Sequence, residues 1–256
     1  MLSHYPALPA PLRVRLTTLP EQPCPYLPER VSCSRALLAR EMDPEIYQDF
    51  MDAGFRRSGQ LIYQPVCRGC RECVPLRVLV ERFQPSKSQR RCLRRNEDVT
   101  VEIAEPTFDS ESFELYQHYV QHWHERAVAP TQEEYEEFLI HSPVQTLQFL
   151  YRDSSQRLLA VGICDISSRS LSSVYFFFDP SEERRRLGVF GALHELRFAQ
   201  AQGLAYYYLG YWVQSCRKMG YKCNYRPYQV LCGDGVWRGA DDAGSGVESS
   251  VADDVI

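Results

Sequence analysis

The chain has 256 residues, 24% of them charged, and a formal net charge of −4. That length is enough for one large or two modest domains around a proper buried core. No stretch approaches the roughly 20 apolar residues of a membrane span, and the N-terminus lacks the basic-then-apolar pattern of a signal peptide. A cytoplasmic protein with no membrane partner is therefore expected. Its ten cysteines are expected to be reduced, some of them binding metal, rather than paired.

The net charge hides a segregation. Residues 30–96 carry 14 Lys/Arg against 7 Asp/Glu, and residues 97–150 carry 1 against 12. Residues 151–239 return to 12 against 7, and the last 17 residues hold five acids and no base. Two basic blocks separated by an acidic one suit a protein that holds a polyanion on one side.

Residues 1–20 are Pro- and Leu-rich without periodicity. Cys24-Pro25-Tyr26-Leu27-Pro28 is a rigid turn presenting one cysteine. From Ser34 to Ala53 the apolar spacing (Leu37, Leu38, Met42, Ile46, Phe50, Met51) predicts a helix ended by Gly54. Residues 60–65 and 74–83 alternate apolar and polar positions, as half-buried strands do.

Ser86 to Gln89 has the form of a capping box, so a helix starts there. It carries Lys87, Arg90, Arg91, Arg94 and Arg95 on one face. Like charges at that spacing repel by a few tenths of a kcal/mol per pair, and a solvated face would more usually interleave acids. Phosphate contacts are the expected use.

Residues 108–123 and 131–141 read as acidic amphipathic helices. Leu158–Ile166 and Leu171–Phe178 are β-rich runs joined as a hairpin, followed by Asp179-Pro180, a helix-start pair. A helix from Leu187 to Gln202 stops at Gly203, and the strand Ala205–Val213 follows. Residues 233–256 have the composition of a disordered tail.

The expected fold is α/β (α+β): an acetyltransferase-like mixed sheet with helices, plus a smaller N-terminal cysteine-containing module. The divisions are 1–96 for the module, 97–232 for the acyltransferase-like domain and 233–256 for the tail. Arg185-Arg186-Leu187-Gly188 resembles the pyrophosphate loop of CoA-dependent acetyltransferases. Phe190 fills that loop's final small-residue position, which argues against CoA and leaves room for another acyl donor.

Several runs together carry a stronger likeness. CPYLP, GFRRSG, CxxCxxCVPLRV and FQPSKSQRR lie in the first half, and LLAVGICDI, LSSVYFFFDP, RRLGVFGALHE and YYYLGYWVQSCRKMGYKCNYRPYQVL in the second. In this order they resemble the aminoacyl-tRNA–protein transferases over about residues 20–237. The short length and the CxxCxxC run look most like the bacterial branch, which moves leucine onto N-terminal Asp or Glu and marks proteins for degradation. The eukaryotic branch moves arginine onto similar acceptors.

The resemblance implies attack by a peptide α-amine on the ester of an aminoacyl-tRNA. That ester is already activated, so positioning, amine deprotonation and oxyanion support are the main needs. Asp165, inside the apolar run VGICDI, is the candidate to orient the aminoacyl ammonium or accept the amine's proton; the alternative is a structural strand-end aspartate. Tyr175 is the second candidate catalytic side chain. Arg185, Arg186, Lys218 and Lys222 are expected on the tRNA with the basic helix, and Gly188 and Tyr221 at its aminoacyl end.

Choice of an acidic acceptor requires a cation that grips a carboxylate, for which arginine is suited. Arg56, Arg57 and Ser58, in a turn between Gly54 and Gly59, and Arg77 on the next strand, are the candidates. The alternative is that one of these arginines pairs with a structural acid. Cys24, Cys67, Cys70 and Cys73 form a candidate metal set for an iron–sulfur cluster or zinc, with metal-free thiols as the alternative.

Two readings compete from other classes. A CoA-dependent N-acetyltransferase would require the poor phosphate loop. A metal-stabilised RNA-binding module without catalysis would leave LSSVYFFFDP and RKMGYK without a purpose.

Overall fold

The computed structural model describes residues 14–124 and 128–239. Short strands open it: β1 (Thr17–Thr18), β2 (Gln22–Pro23), β3 (Val31–Ser32) and β4 (Ser34–Leu38). The helix α1 then runs over Pro44–Asp52. The helix expected from Ser34 is thus a strand followed by a shorter helix. Five residues of β4 pair with β6 (Leu61–Pro65), which puts Ala36 in the core and leaves Leu38 exposed. Helical geometry begins only where Asp43 caps the Glu45 amide (2.8 Å) and Pro44 takes the first position.

Gly54 follows α1 with φ +84°, the left-handed conformation expected of a residue that ends a helix. Between α1 and β6 lies β5 (Arg56–Ser58), which pairs with β6. Strand β7 (Val74–Leu79) ends in a 3-10 turn at Val80, so the expected strand over 74–83 is shorter. Helix α2 (Lys87–Arg95) carries the full capping box: Ser86 Oγ accepts from the Gln89 amide, and Gln89 Oε1 accepts from the Ser86 amide.

The second half supplies β8 (Thr100–Ala104), α3 (Ser110–His124), α4 (Gln132–Tyr135, continued by a π turn), β9 (Thr146–Arg152), β10 (Leu158–Ile166) and β11 (Ser170–Phe178). Then come α5 (Leu187–Ala201), β12 (Tyr206–Trp212), α6 (Arg217–Gly220), β13 (Tyr228–Leu231) and β14 (Trp237–Gly239). The start of the expected tail is therefore ordered: β14 pairs with β13, and the Trp237 indole donates to the Asp52 carbonyl (2.9 Å). Residues 240–256, the rest of that tail, lie outside the described residues.

Strands β1-β4-β6-β5 form a small sheet, and β14-β13-β7-β12-β11-β10-β9-β8 a large mixed one. Residue 96 is not a seam in it. Strand β7 sits between β13 and β12, and α2 packs on α5 through Cys92 and Leu93. Helix α5 covers one face of the large sheet above Leu159, Leu171 and Tyr207; α3 and α4 cover part of the other above Val161 and Phe177. Gly191 lets α5 approach β11 closely, since a methyl there would fall 2.1 Å from the Phe176 ring.

One feature of the sheet positions the site. β11 and β12 are parallel and pair only at Ser170–Ser172 with Tyr206–Tyr208. Beyond that they part, although both strands continue. Each is irregular at the split: the register between β10 and β11 slips around Val174, and that between β12 and β7 around Leu209.

Candidate active site

A cavity of about 660 Å³ occupies the split. Ser173–Phe176 and Phe178 of β11 form one wall, and Tyr207 and Leu209–Tyr211 of β12 the other. The N-terminal part of α5, the segment Lys218–Arg226, the end of α3 and the Pro25-Tyr26 turn complete it. Parting parallel strands leave backbone groups without ladder partners, and a ligand or side chain must satisfy them.

Arg56 does part of this. It is buried, with Nη1 donating to Ser172 Oγ (2.9 Å) and Nη2 to the Ser173 carbonyl (2.6 Å), where β11 loses its partner strand. Among the described residues it makes no ion pair, although it lies in the cavity wall. Lys222 is beside it, also buried, with Nζ donating to the Tyr211 carbonyl (2.9 Å). Burial, then the Arg56 guanidinium, pulls the Lys222 amine down to about 7. Gly210 beside them holds φ +84°, a left-handed conformation that side chains rarely adopt; a Cβ there would stand in ordinary contact, 3.4 Å from Lys222 Nζ and 3.5 Å from Arg56 Nε.

Arg57 behaves differently. Successive residues of a strand point to opposite sides, so the neighbour of Arg56 cannot share its place. Arg57 grips Asp165 through two hydrogen bonds, Nε–Oδ2 2.7 Å and Nη2–Oδ1 2.8 Å, with neither side chain exposed. Tyr47 donates to Asp165 Oδ2 (2.7 Å) and Thr146 to Oδ1 (2.8 Å). Burial works against the Arg57 charge, but Asp165 more than compensates and raises its pKa. Asp165 is therefore a structural partner with both oxygens occupied, which removes it as a candidate base. Arg57 touches the cavity wall but has no charge to spare for a ligand.

Arg77 is also spent. Its Nη1 donates to Asp52 Oδ1 (2.6 Å), its Nε to Gln229 (2.9 Å), and its guanidinium lies 3.7 Å over the Tyr206 ring. It does not line the cavity, nor does Ser58. Of the four expected acceptor-reading residues, only Arg56 faces the cavity with neutral partners alone.

Tyr175, Arg186, Gly188, Lys218, Tyr221 and Lys222 all line the cavity. Arg185 does not: it is held by Asp98 (2.8 Å) and Glu182 (3.2 Å). The basic helix lies at the cavity's edge. Ser86, Ser88 and Gln89 line the cavity, and Gln89 donates to the Asn224 carbonyl (3.2 Å). From there Lys87, Arg90, Arg91, Arg94 and Arg95 lead outward along α2, all exposed. Arg95 spends a hydrogen bond on the Arg184 carbonyl.

Glu195 was missed in the sequence. It is 1% exposed, accepts a hydrogen bond from the Tyr207 hydroxyl, and contributes to the cavity lining. Burial pushes its carboxyl up to about 7, against the hydrogen bond from Tyr207 and the nearby Cys164 and Ser173, which lower it. Its position in GALHE, on a helix turn rich in apolar residues, was the available signal.

Cys24, Cys67 and Cys70 all lie around Cys73. Burial first, then the nearby Cys67, Cys24 and Cys70, push the Cys73 thiol up to about 12. Arg30 donates to Cys70 Sγ (3.2 Å), and the Cys33 amide to Cys67 Sγ (3.3 Å). Sulfur donors suit zinc or an iron–sulfur cluster. Among the described residues no group of three or more His, Cys, Asp or Glu is placed to hold a metal ion as the side chains stand.

Comparison with known proteins adds the family. Profiles described as "Arginine-tRNA-protein transferase, N terminus" and "C terminus" match residues 22–91 and 111–232. A protein of Hahella chejuensis named aspartate/glutamate leucyltransferase is 42% identical over 218 residues, 84% of this chain and 93% of that one. The chain belongs to the arginine-tRNA–protein transferase family.

Other family members agree. A Pseudomonas putida protein of the same name is 41% identical, covering 81% of this chain and 89% of its own, and one from Saccharophagus degradans is 38% identical, covering 85% and 94%. Among solved structures, the C-terminal domain of a putative lysylphosphatidylglycerol synthetase from Agrobacterium fabrum matches at 12% identity and a TM-score of 0.47, over 76% of this chain and 65% of that one. As a member of this transferase family, the chain is an aminoacyltransferase.

Proposed function

We propose that the chain transfers leucine from leucyl-tRNA to the α-amine of proteins that begin with Asp or Glu. The name carried by the relatives supports both the leucine and the acidic acceptor. The observation that carries the acceptor half is Arg56: a buried guanidinium in a cavity wall, bonded only to neutral oxygens. Such a cation suits a guest carboxylate, and its fork geometry matches one.

The ester of the donor would lie in the split, with its tRNA following the cations of α2 outward. Val174, Phe176, Val189 and Leu209 supply apolar wall for a leucyl side chain. Once ester and amine are held together, most of the barrier reduction comes from positioning.

The test mixes labelled leucyl-tRNA or arginyl-tRNA with peptides beginning Asp, Glu or Ala. Leucine transfer to the acidic peptides alone is expected, and preferential arginine transfer would overturn the reading. Arg56→Met is expected to reduce transfer to acidic peptides about 100-fold, the scale of a lost charged hydrogen-bond pair. Its tRNA affinity should stay unchanged; equal loss of tRNA binding would remove Arg56 from the acceptor site.

A further inference from the structure

The cavity in the split runs from one face of the large sheet to the other. Cross-strand partners share a face, so the register assigns the sides. Asp165 lies opposite Ser172, and Cys164 opposite Ser173. Ser172 binds Arg56 on the side of α1 and β5, together with Asp165 and Tyr47. Cys164, Ser173 and Tyr207 lie on the side of α5, near Glu195. Arg56 and Glu195 thus flank one residue, Ser173, from opposite faces, at the point where β11 and β12 part.

An N-terminal Asp or Glu carries a carboxylate and an α-ammonium a few bonds apart. Arg56 accounts for the first. Glu195 is the only acid lining the cavity among the described residues. One of its oxygens is taken by Tyr207; the other, Oε1, is buried without a hydrogen-bond partner. Cys164 and Ser173 lie close enough to lower the carboxyl, but the geometry leaves Oε1 without a full hydrogen bond. Oε1 lies on the β10 side, 2.8 Å from where a Cβ of Gly162 would stand, and since buried polar atoms are nearly always partnered this carboxyl has an acceptor position still to fill.

The geometry points to Glu195 as the group that takes the proton from the attacking α-amine, an inference that rests on the proposed transfer to N-terminal amines. One ammonium proton passes to the Glu195 carboxylate, and the freed lone pair forms the bond to the ester carbonyl carbon. As the bond from that carbon to the ribose oxygen breaks, Glu195 returns the proton to the ribose oxygen. The new amide nitrogen gives up its second proton to water, and the carboxylate is restored.

The titratable groups facing Glu195 are Cys164 of β10, Tyr151 of β9, Tyr207 of β12, and Tyr221 and Tyr225 beyond α6. Burial raises all five, so each is neutral near pH 7 and none masks the titration of the carboxyl. Lys222 titrates in the same cavity near Arg56 and is the group to control for.

The experiment is a single-turnover pH profile, with leucyl-tRNA bound and a saturating acidic peptide. Wild type is expected to rise through a midpoint near 7, where Glu195 titrates. Glu195→Gln should lower the plateau about 100-fold, within the usual range for general acid–base catalysis, and remove that limb. Tyr207→Phe keeps the carboxyl but removes the hydrogen bond that lowers its pKa, so the midpoint should move up. The acceptor amine's own titration would not follow Tyr207. A Glu195→Gln rate within threefold of wild type, or an unmoved midpoint in Tyr207→Phe, overturns the assignment; should Glu195→Gln fail to fold, the Tyr207→Phe midpoint decides. Wild type that makes no leucyl-peptide would instead sink the proposed function.

Discussion

Two arginines one residue apart show how burial alone fails to reveal a role. Arg57 and Arg56 are both buried, and both sit on β5. Around Arg57 every valence is answered: Asp165, Tyr47 and Thr146 close a network with no outlet. Around the cavity, Arg56, Lys222 and Glu195 are ionisable groups buried with neutral partners only. A charge whose partner is already in the chain holds the fold; one whose partner is missing has room for a guest.

The sharpest way to break that comparison is to open the closed network. Arg57→Ala leaves the Asp165 carboxylate buried without its cation, which should cost about 3–5 kcal/mol of stability in a denaturant titration. Arg56→Met is expected to be far milder in the same titration while losing acidic acceptors. Equal destabilisation by both would erase the distinction.

Next in size is the pH dependence of stability. Glu195 ordinarily titrates at 4.5 but is raised to about 7 in the fold. A raised folded-state pKa means the folded form binds the proton more tightly, so its stability is lost as pH climbs from 4.5 through 7. Glu195→Gln should therefore gain roughly 3 kcal/mol on wild type between pH 5 and pH 8 in thermal or denaturant melts. Lys222 runs the other way: its amine is lowered to about 7, so stability is lost as pH falls from 10.5 toward 7. The difference between Glu195→Gln and wild type cancels that contribution. A flat difference would mean the carboxyl is not desolvated in solution.

The smallest expected effect concerns the outer surface. Neutralising Lys87, Arg90, Arg91 and Arg94 should flatten the salt dependence of tRNA binding, by about 0.9 in log–log slope for each phosphate left without its cation. Stability should hardly change, because all four are exposed. An unchanged slope would take α2 out of the RNA footprint.

Much of the fold was legible where the deciding contacts are close in sequence. The capping box of α2, its cationic face, the β10–β11 hairpin, α5 and the β12 strand all follow from residues within a turn or two of one another. The stretch from Ser34 was not legible, because its short apolar run suits a helix or a strand, and pairing with β6 decided the matter. Strands β8 and β9 were missed in a segment whose acidic helices dominate the pattern. At the site, a run of family motifs marked Arg56, Lys222, Tyr175 and Gly188, but also marked Arg57, Asp165 and Arg77, which serve the fold.

By itself, then, the sequence determined the family, the cationic helix and the presence of two adjacent arginines. Alone they read as a turn, and only the pairing of β5 with β6 made them a strand whose neighbours face opposite ways. Which arginine met an acid and which met the cavity depended on Asp165, 108 residues away from Arg57. The raised carboxyl of Glu195 likewise exists only because α5 presses it between β10 and β12. Local spacing sets direction along a chain; solvent exclusion and charge pairing arise only when distant segments meet.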